Sequence, residues 1–164
     1  MSSLERKLNR RFVVLAPLAL TACGFQPAFA PGGSGASLLN RIRVEAPTDQ
    51  NAYLLTREIE ERLGRGNDTA YSLSLTTLTS ERQLAINREG NTDRFHIVGV
   101  VTYSLRDLRT GQIVGSDTVD NFVGYSATGT TVVTLASERD ASERLMTLLA
   151  DQIVTNLLAL DLPA

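Results

Sequence analysis

The chain has 164 residues, with 16 Lys and Arg against 18 Asp and Glu, one His, one Cys and no Trp. That length suits one compact domain with a real hydrophobic core, and a formal net charge of −2 excludes the basic footprint of a nucleic-acid binder. A single cysteine excludes an internal disulfide framework.

Arg6, Lys7, Arg10 and Arg11 give the chain a positive start, and Phe12 to Leu20 is a nine-residue apolar run. Nine residues are too few to span a bilayer, which takes about 20, but they suit the core of a signal peptide. Leu20, Thr21, Ala22 and Cys23 follow at once. That order resembles the lipobox of bacterial lipoproteins. The resemblance implies that residues 1–22 are a signal peptide that is removed, and that Cys23 is acylated and heads the mature chain. The anchor is then lipid alone; one acyl chain holds only marginally, and the lipoprotein modification carries more than one. The removed segment holds four cations and one anion, so the remaining 142 residues carry a formal charge of −5. Gly24, not Asp, follows Cys23. Under the enteric sorting rule this is consistent with the outer membrane. All 12 remaining cations are arginine, most simply a matter of codon usage.

Residues 23–38 include Pro27, Pro31, Gly32, Gly33 and Gly35 and read as a flexible tether, leaving 39–164 as the folded domain. Arg41 to Glu45 alternates, with Ile42 and Val44 on one face, and predicts a short half-buried strand that Pro47 ends. Thr48, Asp49 or Asn51 then caps a helix in which Ala52, Leu55, Ile59 and Leu63 recur at helical spacing. Glu58 and Arg62 form an i, i+4 pair on its exposed side, and Gly64 and Gly66 stop it.

Tyr71, Leu73 and Leu75 alternate with Ser72, Ser74 and Thr76, a strand that runs on to Ile86. Leu78 breaks the alternation and predicts a bulge at Thr76–Thr77. Asn87 to Asp93 is a polar loop. Phe95 to Leu105 is the next strand, with Phe95, Ile97, Val101, Tyr103 and Leu105 on one side and Val98 and Val100 opposite. Two apolar faces in its first half mean a strand covered on both sides there, or an interface. Thr110–Gly111 after Asp107 makes a tight hairpin turn into a partly exposed strand, Gln112 to Tyr125. Segment 126–134 is Thr- and Gly-rich and carries no clear periodicity.

Ser137 opens a long helix, with Asp140 three residues on as a weak capping box. Ala141, Leu145, Leu148, Leu149, Ile153, Leu157 and Leu160 line its buried face, and Glu138, Asp140 and Glu143 suit its N-terminal dipole. The order β-α-β-β-β-α, with two amphipathic helices each needing a partner, gives an α+β fold. Both helices pack on one face of a mixed four-stranded sheet, with the first strand parallel to its neighbour.

Catalysis needs convergent polar groups, and the chain offers few. His96, the only histidine, lies inside a strand opposite Phe95 and Ile97 and reads as a packing or solvent-facing residue. No metal-ligand spacing, nucleophile elbow, P-loop or dinucleotide fingerprint occurs, so neither a catalytic residue nor a metal or other cofactor is expected. Asp117 and Asp120 read as surface charge, and Tyr53, Tyr71, Tyr103 and Tyr125 as core edges or interface anchors. Binding remains. Arg82, Arg88 and Arg94 flank or occupy the loop between the second and third strands, where guanidinium forks suit the phosphates of an anionic glycolipid. The plainer reading is a solvated loop with Glu81, Glu89 and Asp93 as counter-charges.

Cys23 followed by Gly24, Phe25, Gln26 and Pro27 resembles the start of the LPS-assembly lipoproteins of the LptE family. So do Tyr103 to Leu108, leading through Thr110 and Gly111 into the next strand, and Ala136 to Ala141 at the last helix, which is similar to the alphaproteobacterial branch. The resemblance implies two helices on a mixed four-stranded sheet and a non-catalytic role. It implies a plug in the lumen of the outer-membrane β-barrel LptD, aiding barrel assembly and lipopolysaccharide delivery to the cell surface, with direct lipopolysaccharide binding in some members. A periplasm-facing outer-membrane lipoprotein of another envelope transport or barrel-assembly complex is the alternative.

Overall fold

The computed structural model describes residues 34–86, 92–128, 130–160 and 162. After a 3-10 turn at Ser34–Ser37 the chain runs β1 (Ile42–Val44), α1 (Gln50–Leu63), β2 (Tyr71–Ile86), β3 (Thr92–Asp107), β4 (Ile113–Ser126) and α2 (Thr131–Leu158). The strands lie side by side in chain order, β1 parallel to β2 and the others antiparallel. The fold is therefore the expected α+β arrangement, β-α-β-β-β-α, with a mixed four-stranded sheet. The signal peptide, Cys23 and Arg88 lie outside the described residues. Leu38, which composition places in the tether, is fully buried in the core.

Asp49 caps α1, its Oδ1 accepting from the Ala52 N–H at 2.9 Å. Ala52, Leu55, Ile59 and Leu63 are buried along one stripe, as their spacing dictates. The helix ends at Gly64, whose φ of +79° suits a residue without Cβ. Glu58 and Arg62 do pair, at 3.1 Å, but not on an exposed face. Arg62 Nε also donates to Asp151 Oδ1 of α2 at 2.7 Å, so the pair sits in the seam between the helices.

No bulge interrupts β2 at Thr76–Thr77. Its register with β3 is continuous from Tyr71↔Asp107 to Gln83↔Phe95, and shifts only at Gln83–Ala85 and Ala85–Ile86. Leu78 keeps the strand's alternation but is apolar on the open face, where it is 67% exposed. In β3, Ile97, Val101, Tyr103 and Leu105 are buried. Gly99 sits among them, where a Cβ would lie 2.9 Å from Leu149 Cδ1 and 3.1 Å from Leu145 Cδ2 of α2. The missing side chain lets α2 lie close on the sheet. At the β3–β4 turn, Asp107 Oδ1 accepts from the N–H groups of Arg109 (2.7 Å) and Thr110 (3.0 Å).

α2 begins at Thr131, six residues before Ser137, and the Ser137 hydroxyl donates to the Val133 carbonyl at 3.0 Å inside the helix. Its first turns carry exposed Val132, Val133 and Leu135, so no buried stripe marks them, and β-branched residues are weak helix formers. Glu138, Asp140 and Glu143 consequently stand beyond the first turn, which holds no acid. Ala141, Leu145, Leu149, Ile153 and Leu157 are buried, joined by Met146, Ala150 and Val154, whereas Leu148 is 41% exposed. The wider stripe reflects contact with both β strands and α1, since α2 packs against β3, β4 and α1 together.

Candidate interaction surface

Both helices occupy one side of the sheet, so the other side has no cover among the described residues. Alternation along each strand sorts the side chains. On the open side, the register places Ser74, Ser104 and Ser116 in one row and Thr76, Thr102 and Thr118 in the next. The Ser74 and Ser104 hydroxyls are 2.8 Å apart and those of Thr102 and Thr118 3.1 Å apart, a ladder of hydroxyls across the strands. The next rows are Leu78, Val100, Asp120 and then Ser80, Val98, Phe122. The row after these is Arg82, His96, Gly124.

The character of the face thus changes along its length. One half is hydroxylic. The other presents Leu78, Val98, Val100 and Phe122, with Phe122 56% exposed. His96 lies against the Phe122 ring at 4.7 Å between centroids. Gly124 makes room for it, since a Cβ there would come 3.3 Å from His96 Cδ2. His96 is a half-buried packing partner of a surface aromatic.

Arg82 and Arg94 are both exposed, and neither has an ion-pair partner among the described residues. Arg82 stands opposite His96, and Arg94 is two residues before His96 on β3. The structure therefore brings these two arginines to the same end of the sheet, beside the apolar patch. Asp117 and Asp120 are separated. Asp120 belongs to the open face, while Asp117 on the helix side accepts from Asn156 Nδ2 at 3.4 Å. Tyr71 and Tyr103 are core residues and Tyr53 is exposed. Tyr125 stacks on Phe95 at 5.3 Å; burial, then its hydrogen bond to Glu81, pushes its hydroxyl up to about 12.

The helix side holds a cleft of about 580 Å³ between the start of α1, the first half of α2 and Thr77 and Thr79 of β2. It arises from a length mismatch. α1 has 14 residues and is roughly 21 Å long. β2 has 16 and extends to roughly 50 Å, so α1 covers less than half of it. Sequence reasoning missed this cleft and the exposure of Leu78 and Phe122. The available signal was the double apolar face of β3 at Val98 and Val100. Among the described residues no group of three His, Cys, Asp or Glu is arranged to hold a metal ion. No described helix is long and apolar enough to cross a membrane.

A family model described as lipopolysaccharide-assembly, LptE, matches residues 39–157. Among solved structures, a putative lipoprotein from Caulobacter crescentus CB15 is 23% identical with a TM-score of 0.65, over 76% of this chain and 92% of that one. Rare lipoprotein B from Shewanella oneidensis is 17% identical with a TM-score of 0.56, over 71% of this chain and 91% of that one. A minor lipoprotein from Acinetobacter baumannii is 18% identical with a TM-score of 0.57, over 73% and 93%. No curated protein matches the sequence at a significant level. The structural likenesses establish a shared fold. The family match begins before β1 and stops one residue short of the end of α2, so it takes in all four strands and both helices. The chain belongs to the LptE family of lipopolysaccharide-assembly proteins.

Proposed function

We propose that the chain is a non-catalytic lipoprotein of the outer membrane, anchored through acylated Cys23, that plugs an LptD-type β-barrel. In that position it helps the barrel assemble and supports delivery of lipopolysaccharide to the cell surface. The observation that carries this reading is the family match over residues 39–157. The open sheet face supports it. A plug must meet the polar interior of a barrel, and the hydroxyl rows of Ser74, Ser104, Thr76, Thr102 and Thr118 suit such a wall. Lipopolysaccharide joins phosphates to acyl chains, and Arg82 and Arg94 beside Leu78, Val98 and Phe122 offer both chemistries at one end of the sheet. A mature charge of −5 favours protein contacts over broad anion binding, so any lipid contact is confined to this arginine-bearing end, with Arg88, which lies between β2 and β3 in the sequence, as a third candidate.

Depletion of the chain in its host tests the reading. Loss of the folded barrel and of surface lipopolysaccharide is the expected result. Normal amounts of both after depletion contradict it.

A further inference from the structure

The two long edges of the sheet differ. β1 pairs with β2 only from Ile42↔Tyr71 to Val44↔Leu73, and Pro47 then turns the chain out of the sheet. The Tyr71 N–H meets Arg41 and the Leu73 carbonyl meets Glu45, so the odd-numbered residues of β2 point their backbone groups toward this side. Beyond Leu73 the same outward groups belong to Leu75, Thr77, Thr79 and Glu81. They have no backbone partner on that edge among the described residues. Thr77 and Thr79 also line the 580 Å³ cleft, and the Thr77 hydroxyl is buried with no hydrogen-bond partner among the described residues. An unpaired backbone edge and an orphaned hydroxyl thus share one stretch of chain.

The β4 edge is treated otherwise. Asp117 Oδ1 accepts from the Thr118 N–H at 2.8 Å, and Asn121 Oδ1 from the Phe122 N–H at 2.8 Å. Those two outward donors are occupied by the strand's own side chains. Such local capping, together with edge charge, discourages a strand from adding there.

The geometry points to the β2 edge over Leu75–Glu81 as a docking site for an extended segment of a partner protein, which adds as a strand in the line that β1 vacates. The wall above this stretch carries Asp49, Glu138 and Glu143 against the one cation Arg139. The added strand is therefore one with basic side chains at the alternate positions that face the helices. Two copies of this chain pairing here would bring two acidic clefts together, which argues against a homodimer. The inference holds whichever protein supplies the strand, so its failure leaves the barrel reading standing.

The test uses the full chain, isotopically labelled in detergent micelles, with a synthetic peptide of about ten residues that alternates valine and arginine. Backbone amide exchange at Leu75, Thr77, Thr79 and Glu81 should slow by about tenfold or more, with β4 amides unchanged. An alternating valine–glutamate peptide should do nothing. Thr79→Pro removes one outward N–H and no bond to β3, so it should abolish the protection while the β2–β3 amides stay slow. Glu138→Gln with Glu143→Gln, on the helix surface, should weaken the effect of the basic peptide without touching the strand. No slowing at β2, equal slowing by the acidic peptide, or slowing confined to β4 would each overturn the inference. So would peptide-independent, concentration-dependent protection, which would assign the edge to a second copy.

Discussion

The His96 imidazole rests on the Phe122 ring, centroids 4.7 Å apart and planes 30° from parallel, on the side of the sheet away from both helices. The pair belongs to an apolar patch that nothing covers among the described residues. A side chain that is largely exposed contributes little to folding, so its value lies in what it meets.

Phe122→Ser and Leu78→Ser should each change stability by less than about 1 kcal/mol, since the residues are 56% and 67% exposed. Leu149→Ala, at a position with no exposure, should cost about 2–5 kcal/mol. Chemical denaturation distinguishes the two classes. The surface variants, though folded, should capture less barrel from solubilised membranes.

Gly99→Val should destabilise by about 1–3 kcal/mol. The added atoms meet Leu145 and Leu149 at distances that already press on a single Cβ. Because those leucine methyls can shift, Gly99→Ala should be markedly milder. Equal unfolding midpoints for the two variants would contradict close packing of α2 on β3.

Replacing Arg62 by methionine removes both its bond to Asp151 and its bond to Glu58, and should cost about 1 kcal/mol. The same network sets an acid dependence. A hydrogen bond from Arg57, then one from Arg62, holds the Glu58 carboxyl below its ordinary value of 4.5. The unfolded chain then binds the proton more readily, so this stabilisation is complete above pH 4.5 and is lost as pH falls through the lower folded value. Denaturation curves across that range should lose part of their slope in Arg62→Met.

Tyr125 gives the opposite limb. Its hydroxyl is raised from 10.0 to about 12 in the folded state, chiefly by burial. Stability from this group is intact below pH 10 and is lost as pH rises from 10 toward about 12. Tyr125→Phe should flatten that alkaline decline.

Arg82→Glu with Arg94→Glu should leave the fold intact, since neither side chain has an ion-pair partner among the described residues. If these guanidinium groups meet lipopolysaccharide phosphates, the wild-type affinity should fall with salt and the double variant should lose both affinity and salt dependence. Unchanged affinity would return them to a solvated end of the sheet.

Strong periodicity carried most of the fold into the sequence. Ala52, Leu55, Ile59 and Leu63 marked α1, and Ala141, Leu145, Leu149, Ile153 and Leu157 marked α2, because each stripe must be buried. The errors fall where that link between apolar and buried fails. Leu78 suggests a bulge because it is apolar yet exposed, and Leu148 suggests a core position for the same reason. The start of α2 was hidden because Val132 and Val133 face outward. Val98 and Val100 did announce a second apolar face, but only the register showed that Phe122 and Leu78 extend it. The cleft and the unequal edges depend on how far β2 outruns α1 and β1, a relation between elements that no local pattern encodes.

The most direct test of the central claim is a pull-down of the tagged, full-length protein from detergent-solubilised outer membranes, with mass spectrometry and stoichiometry of what accompanies it. An LptD-type barrel at one-to-one stoichiometry is the expected result, with this chain lost from the outer-membrane fraction when Cys23→Ala blocks lipidation. A protein recovered from the outer membrane without any such barrel would contradict the plug and leave a lipoprotein serving another envelope complex.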